Sequence, residues 1–204
     1  MLDLVRDYYD EKLSAFGPTP RGVDWNGNES QFKRFEALCS MLPRAISSEF
    51  SIDDYGCGYG AFAQYLDASG FTHVDYLGID ISCAMVAEAV NVNPGRRFVV
   101  GRESPRVADY AVASGIFNVA LDADRTVWQN HILGTLDLIN AATTKGFAFN
   151  CLTSFSDKAK MKPHLYYGDP NFLLRHCMKN YSAQASLLQD YGLYEFTIRV
   201  KKTP

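Results

Sequence analysis

Apolar residues along the 204-residue chain change period several times, from alternation and short solid runs to spacings of three and four, the mark of strands alternating with helices. Phe50–Tyr55 reads as a first strand, Ala61–Ala68 as a helix and residues 74–79 as a second strand. Ser82 stands where a helix over 84–90 needs an N-cap, because its hydroxyl can accept from a first-turn N–H. Residues 98–100, 110–113 and 146–150 supply three more strands, and helical spacing runs over 127–142 between the last two. A helix over 171–178 follows, with Asp169 before Pro170 as its N-cap. Residues 185–190 and 193–200 then read as two antiparallel strands joined by a tight turn at Tyr191-Gly192. The pattern predicts an α/β fold: a Rossmann-like, seven-stranded, mostly parallel sheet with helices on both faces and an antiparallel hairpin at the C-terminus.

Ahead of the first strand lies a stretch that such a sheet does not require. Leu2, Val5, Tyr8, Tyr9 and Leu13 fall at helical spacing, and the two glycines and two prolines of residues 17–22 break the helix. A second helix starts after Asn28, with Phe32, Phe35 and Leu38 on one face. Residues 1–49 are therefore expected to form a helical extension and residues 50–204 one globular domain.

Candidate chemistry gathers where the first strand ends. Asp54 is followed by Gly56, Gly58 and Gly60, and glycines at alternate positions let the backbone turn sharply and let a ligand approach closely. About one βαβ unit later, Asp80 closes the second strand, where a carboxylate can accept both hydroxyls of a ribose. The two features together indicate a nucleoside cofactor. Residues 56–61 also fit the dinucleotide pattern G-x-G-x-x-G/A, which keeps an NAD(P)-type oxidoreductase open as an alternative. Asp54 favours a different cofactor, because a carboxylate facing the crevice would repel a pyrophosphate and attract an amine. S-adenosylmethionine carries an ammonium and a sulfonium and has no phosphate.

At these residues the chain resembles the class I S-adenosylmethionine-dependent methyltransferases. Their D/E-x-G-x-G-x-G motif is matched by Asp54, Gly56, Gly58 and Gly60, and their ribose-binding acid by Asp80. The terminal hairpin, characteristic of that class, carries the resemblance from Phe50 to the end of the chain. It implies that the glycine loop lies against the methionine part of the cofactor, with Asp54 towards the amine and Asp80 on the ribose. Cys57, Ile81 and Ser114 are expected as further cofactor contacts. In the extension, which the resemblance casts as a lid, Arg34 or Gln31 is expected to reach the cofactor carboxylate while Trp25 covers the pocket, since a fork of donors suits a carboxylate. The competing reading makes Arg34 a solvated helix residue and Trp25 core packing. The implied activity is methyl transfer from S-adenosylmethionine to an unidentified small-molecule acceptor, and a non-catalytic protein that binds the same cofactor is the further alternative.

Composition narrows the partners. A net charge of −3 and only short basic runs, at 95–97 and 199–202, give no footprint for nucleic acid. Asn118 stands where N6-adenine methyltransferases carry N/D-P-P-Y/F, and no proline pair follows it. The five cysteines are scattered without a C-x-x-C pair or a Cys/His cluster, so no metal site is expected and a reducing, cytoplasmic setting is. No apolar run has membrane-spanning length. Substrate contacts are expected from Trp25, Asn118, Asn150, Thr153, His164 and Tyr167, with Tyr166 as part of an aromatic wall. His131 and His164 are the histidines placed to act as a base, but neither has a recognisable partner, and no catalytic residue is assigned. Alignment of an already activated methyl group can supply most of the acceleration.

Overall fold

The computed structural model describes residues 1–43, 48–71 and 73–202, so four positions of the 1–49 extension and three of the 50–204 domain lie outside it. Seven strands form one sheet in the order β3-β2-β1-β4-β5-β7-β6. They are β1 Phe50–Tyr55, β2 Val74–Asp80, β3 Arg97–Val100, β4 Ala108–Ala113, β5 Thr143–Leu152, β6 Ala185–Leu188 and β7 Glu195–Lys201. β1 to β5 pair in parallel, and β7 runs antiparallel between β5 and β6. From β1 the chain steps outward through β2 and β3, then returns to lay β4 on the other side of β1. That reversal opens a crevice at the carboxyl ends of β1 and β4, where open α/β sheets bind ligands.

Central strands buried on both faces divide their side chains between two cores. Phe50 and Ile52 of β1 and Val112 of β4 pack with α2 (Asn28–Cys39) and α3 (Ala61–Ala68) through Phe35, Leu38, Phe62 and Leu66. Tyr55 of β1 with Ala111 and Ala113 of β4 face α5 (Arg125–Ala141) and α6 (Pro170–Asn180) through Trp128, Ile132, Leu136, Leu173 and Cys177. α4 (Cys83–Val92) starts at Ser82, whose hydroxyl accepts from the Met85 N–H at 2.9 Å. α1 (Leu2–Phe16) adds Val5 to the second core. Among the described residues no helix is long and apolar enough to cross a membrane.

Two local expectations need correction. The face that α2 buries carries Gln31, Arg34, Phe35, Ala37 and Leu38, whereas Phe32 is 49% exposed. The helix is turned because Arg34 finds a buried carboxylate, and Phe32 instead meets Tyr65 at the surface. The connection between β6 and β7 is longer than a tight turn: pairing runs from Ala185↔Val200 only to Leu188↔Thr197. Gln189 is drawn out of the ladder to donate to Thr153 Oγ1 at 3.2 Å, and Tyr191 Oη lies 3.1 Å from Thr197 Oγ1. Gly192 does take the left-handed backbone, with φ +75°.

Residues 101–107, which join β3 to β4, carry no helix and are strapped to the sheet by charge instead. Asp53, fully buried, accepts from Arg106 Nε at 2.8 Å and from Ser104 Oγ at 2.6 Å. Arg106 also donates to Asp75 and to the Ile52 and Asp75 carbonyls. Removing one partner of such a pair leaves an uncompensated buried charge. Arg106→Ala is therefore expected to lower the unfolding free energy by about 3 kcal/mol in urea titration, and an unchanged midpoint would contradict this role for the strap.

Candidate functional site

The loop after β1 is held from the neighbouring strand rather than by its own side chains. Gly56 N and Cys57 N both donate to the Ile79 carbonyl of β2, at 2.7 and 3.1 Å. Gly58 N donates to Asp80 Oδ2 at 2.9 Å, while Oδ1 of the same carboxylate accepts from Ser82 N at 2.8 Å. Each oxygen of Asp80 thus keeps lone-pair capacity for a ligand after its backbone bond. Gly56 has φ +71°, and a Cβ there would fall 2.0 Å from Ile116 Cγ2, so the site demands glycine on both counts. Burial raises the Asp80 pKa, and the N–H groups of Ser82 and Gly58 work against that rise.

Asp54 is the next-to-last residue of β1, two before Gly56 and on the opposite face from Asp53. It is 2% exposed, and its Oδ2 accepts from Tyr76 Oη at 2.7 Å. Burial pushes its pKa up to about 7, with the Tyr76 hydrogen bond opposing the shift. No cation meets it among the described ion pairs.

These groups open onto a cavity of about 160 Å³. Of the residues expected to contact the cofactor, Asp54, Gly56, Cys57, Gly58, Asp80, Ile81 and Ser114 line it, and so do Gln31 and Trp25. Gly60 stands behind the loop as the N-cap residue of α3, in the left-handed conformation with φ +82°. Cys57 is buried, and burial raises its thiol pKa well above the ordinary value.

Arg34 is placed elsewhere than expected. Its Nε and Nη2 fork onto Glu195 at 2.8 and 2.5 Å, its Nη1 donates to the Ser30 carbonyl at 2.7 Å, and it does not line the cavity. It is buried rather than solvated, so neither sequence reading of this residue describes it. The polar residues expected around a substrate are mostly used within the protein. Asn118 Oδ1 accepts from Leu152 N at 2.9 Å, and its carbonyl accepts from Tyr166 N at 2.8 Å. Asn150 sits behind the cavity wall, accepting from Gly115 N at 2.7 Å and donating to Ser114 Oγ at 3.3 Å. Thr153 Oγ1 accepts from Gln189. Tyr167 Oη accepts from Lys162 N, and the His164 ring lies 6.2 Å from that of Tyr8. None of Asn118, Asn150, Thr153, His164 or Tyr167 lines the cavity.

Other lining groups come from α1, the first helix of the extension that the resemblance casts as a lid. Leu2, Val5, Arg6 and Tyr9 of α1 lie against it, and Asp10 anchors that helix by accepting from Ser82 Oγ. The apolar face of α1 was legible, and a lid was expected of the extension; which residues of α1 would line the cavity was not legible. Tyr55 also lines the cavity, and its buried hydroxyl lies by the Ser104 backbone, with burial raising its pKa. His131 also lines the cavity, and burial, reinforced by the charge of Arg102, lowers its pKa. The cavity thus offers a carboxylate anchored on backbone N–H groups and a second carboxyl without a cation. That set suits a nucleoside that also carries an amine. At about 160 Å³ the cavity is smaller than the ~300 Å³ where ordinary ligand pockets begin, consistent with α1 and Trp25 lying along it.

The model of a family described as a methyltransferase domain matches residues 30–195. The chain belongs to the methyltransferase-domain family. "Putative methyltransferase Rv1506c" of Mycobacterium tuberculosis (strain ATCC 25618 / H37Rv) is 54% identical over 156 residues, covering 75% of this chain and 93% of that protein. In fold, this methyltransferase is similar to magnesium protoporphyrin IX methyltransferase from Synechocystis PCC 6803, solved with bound SAH, at TM-score 0.67 and 13% identity over the whole of both chains. It is also similar to DhpI in complex with SAH, at TM-score 0.64 and 12% identity, covering 95% of this chain and 93% of that one.

The raised pKa of Asp54 has a measurable consequence for the methyltransferase without ligand. Its carboxyl binds a proton more tightly folded than unfolded, so it favours the folded state fully at acid pH and progressively less as pH rises from about 4 to about 7. Asp54→Asn, which keeps an acceptor for Tyr76, is expected to melt several degrees above the wild type at pH 8. That advantage should shrink as pH falls from 7 to 4; a difference independent of pH would contradict the assignment.

Proposed function

We propose that this methyltransferase binds S-adenosylmethionine in the cavity beside the glycine loop and transfers its methyl group to a small-molecule acceptor. The observation that carries the reading is Asp80, fixed by two backbone N–H groups at the tip of β2 with lone pairs left for a ribose diol. Asp54 supports it from the other side of the loop. An ammonium beside this buried carboxyl would draw its pKa down and turn a costly buried acid into half of an ion pair. Gly56 and Gly58 both line the cavity, so a ligand there can approach the loop backbone closely. Bound there, S-adenosylmethionine supplies a methyl group already activated as a sulfonium, so the protein's part is to align the acceptor and keep water out.

The apolar and aromatic walls, Val5, Tyr9, Trp25 and Phe35, suit that exclusion. A net charge of −3 with only short basic runs favours a small acceptor over a polynucleotide. Magnesium protoporphyrin IX methyltransferase, with the same fold, is named for a small-molecule substrate. The cysteines Cys39, Cys57, Cys83, Cys151 and Cys177 are all free thiols, which suits a reducing, cytoplasmic setting. No proton acceptor is assigned to the reaction, although His131 is held towards its neutral form in the cavity wall.

Isothermal titration with S-adenosylmethionine, SAH and NAD tests the cofactor. The first two are expected to bind, with Asp80→Ala weakening SAH by about tenfold or more for loss of charged hydrogen bonds. Binding of NAD alone would overturn the reading. Release of SAH in the presence of an acceptor panel then separates an enzyme from a protein that only binds the cofactor.

A further inference from the structure

The buried pair Arg34 and Glu195 joins residues 161 positions apart, and nothing in the cofactor site as described requires it. Glu195 is 1% exposed, opens β7 opposite Leu152 and does not line the cavity. Its carboxylate receives both arms of the Arg34 fork, at 2.8 and 2.5 Å, so the guanidinium is held in one plane. The indole of Trp25 lies on that plane: the guanidinium carbon sits 3.8 Å from the ring centroid. The far edge of the same indole rests on the loop after β4. A Cβ at Gly115 would fall 2.4 Å from Trp25 Cζ2, so glycine is what lets the ring come down onto the backbone. Gly115 is in turn held from β5 by the 2.7 Å bond to Asn150 Oδ1.

We infer that Glu195 and Arg34 are positioning residues that clamp Trp25 onto Gly115 and so set the wall of the cofactor cavity. The inference rests on the cavity being the cofactor site. A flat cation under the indole fixes both its height and its tilt, which apolar packing alone does not. The neighbouring residue extends the clamp to the first helix. Asp24 accepts from Tyr8 Oη at 2.8 Å and from Lys12 Nζ at 2.9 Å, so α1 is tied to the residue next to Trp25. One carboxylate on β7 therefore orders a half-buried ring contributed by the N-terminal extension, more than one hundred and fifty residues away in sequence.

The chain has two tryptophans, Trp25 and the fully buried Trp128, so 5-fluorotryptophan labelling gives one fluorine resonance for the clamp and one for the core. Trp25→Phe assigns them. In Glu195→Gln the Trp25 resonance is expected to shift and broaden without ligand, the Trp128 resonance to stay, and the SAH dissociation constant to rise about tenfold. A second variant, Arg34→Met/Glu195→Met, replaces the pair by apolar side chains, a change that often leaves stability unharmed, yet it removes the plane under the indole. Its Trp25 resonance is expected to stay broad and its SAH affinity to stay about tenfold weak while its melting temperature matches the wild type. Wild-type affinity with a native Trp25 resonance in the double variant overturns the inference. So does joint loss of both tryptophan resonances in the two variants, which makes the pair a folding device. If the wild type itself does not bind SAH, the cofactor reading fails, while the ligand-free Trp25 resonance still tests the clamp.

Discussion

The site depends on one carbonyl and one carboxylate at the end of β2. Ile79 O receives the N–H groups of Gly56 and Cys57, and Asp80 receives that of Gly58, so three successive amides of the loop after β1 are fastened to the neighbouring strand. A loop tied this way needs no anchoring side chains of its own, which leaves its outer surface as bare backbone facing the cavity. The parallel register that places Tyr55 beside Ile79 is what brings the loop and Asp80 together. A slip of one residue would turn Asp54 and Asp53 to each other's faces and exchange their partners, Tyr76 on one side and Arg106 on the other.

The two neighbouring aspartates show how strand alternation separates structure from function. Asp53 points to the face of α5 and is neutralised by Arg106 from the β3–β4 connection. Asp54 points to the face of α2 and α3, where a tyrosine hydroxyl is its hydrogen-bond donor and its pKa rises to about 7. A charge satisfied inside the fold supports the sheet; one left short of a counterion is suited to a cationic ligand.

Local signals made most of the architecture legible. β1 and α3 occupy the expected residues, Ser82 and Asp169 cap α4 and α6 through their side chains, and the glycine spacing located the cavity. What sequence could not supply were pairings between distant segments. Arg34 was legible as a fork of donors in search of a carboxylate, but not that its carboxylate would be Glu195. Asn118, in a turn beyond β4, and Asn150, inside β5, brace Leu152 N, Gly115 N and the Ser114 hydroxyl from within instead of facing the cavity. The hairpin was legible as two strands, but its turn was misjudged because Gln189 is drawn towards Thr153, a partner 36 residues away. α1 was legible as an amphipathic helix of a lid; the anchors that tie it down, at Ser82 and Asp24, were not.

The central claim is that the glycine loop, Asp54 and Asp80 form a cradle for S-adenosylmethionine. A crystal structure of the protein grown with SAH tests it most directly. The account predicts the ribose hydroxyls within hydrogen-bond distance of Asp80 and the amino group on the Asp54 side of the Gly56 loop. Density for the nucleoside away from Asp80, or an amine that leaves Asp54 unpaired, would contradict it.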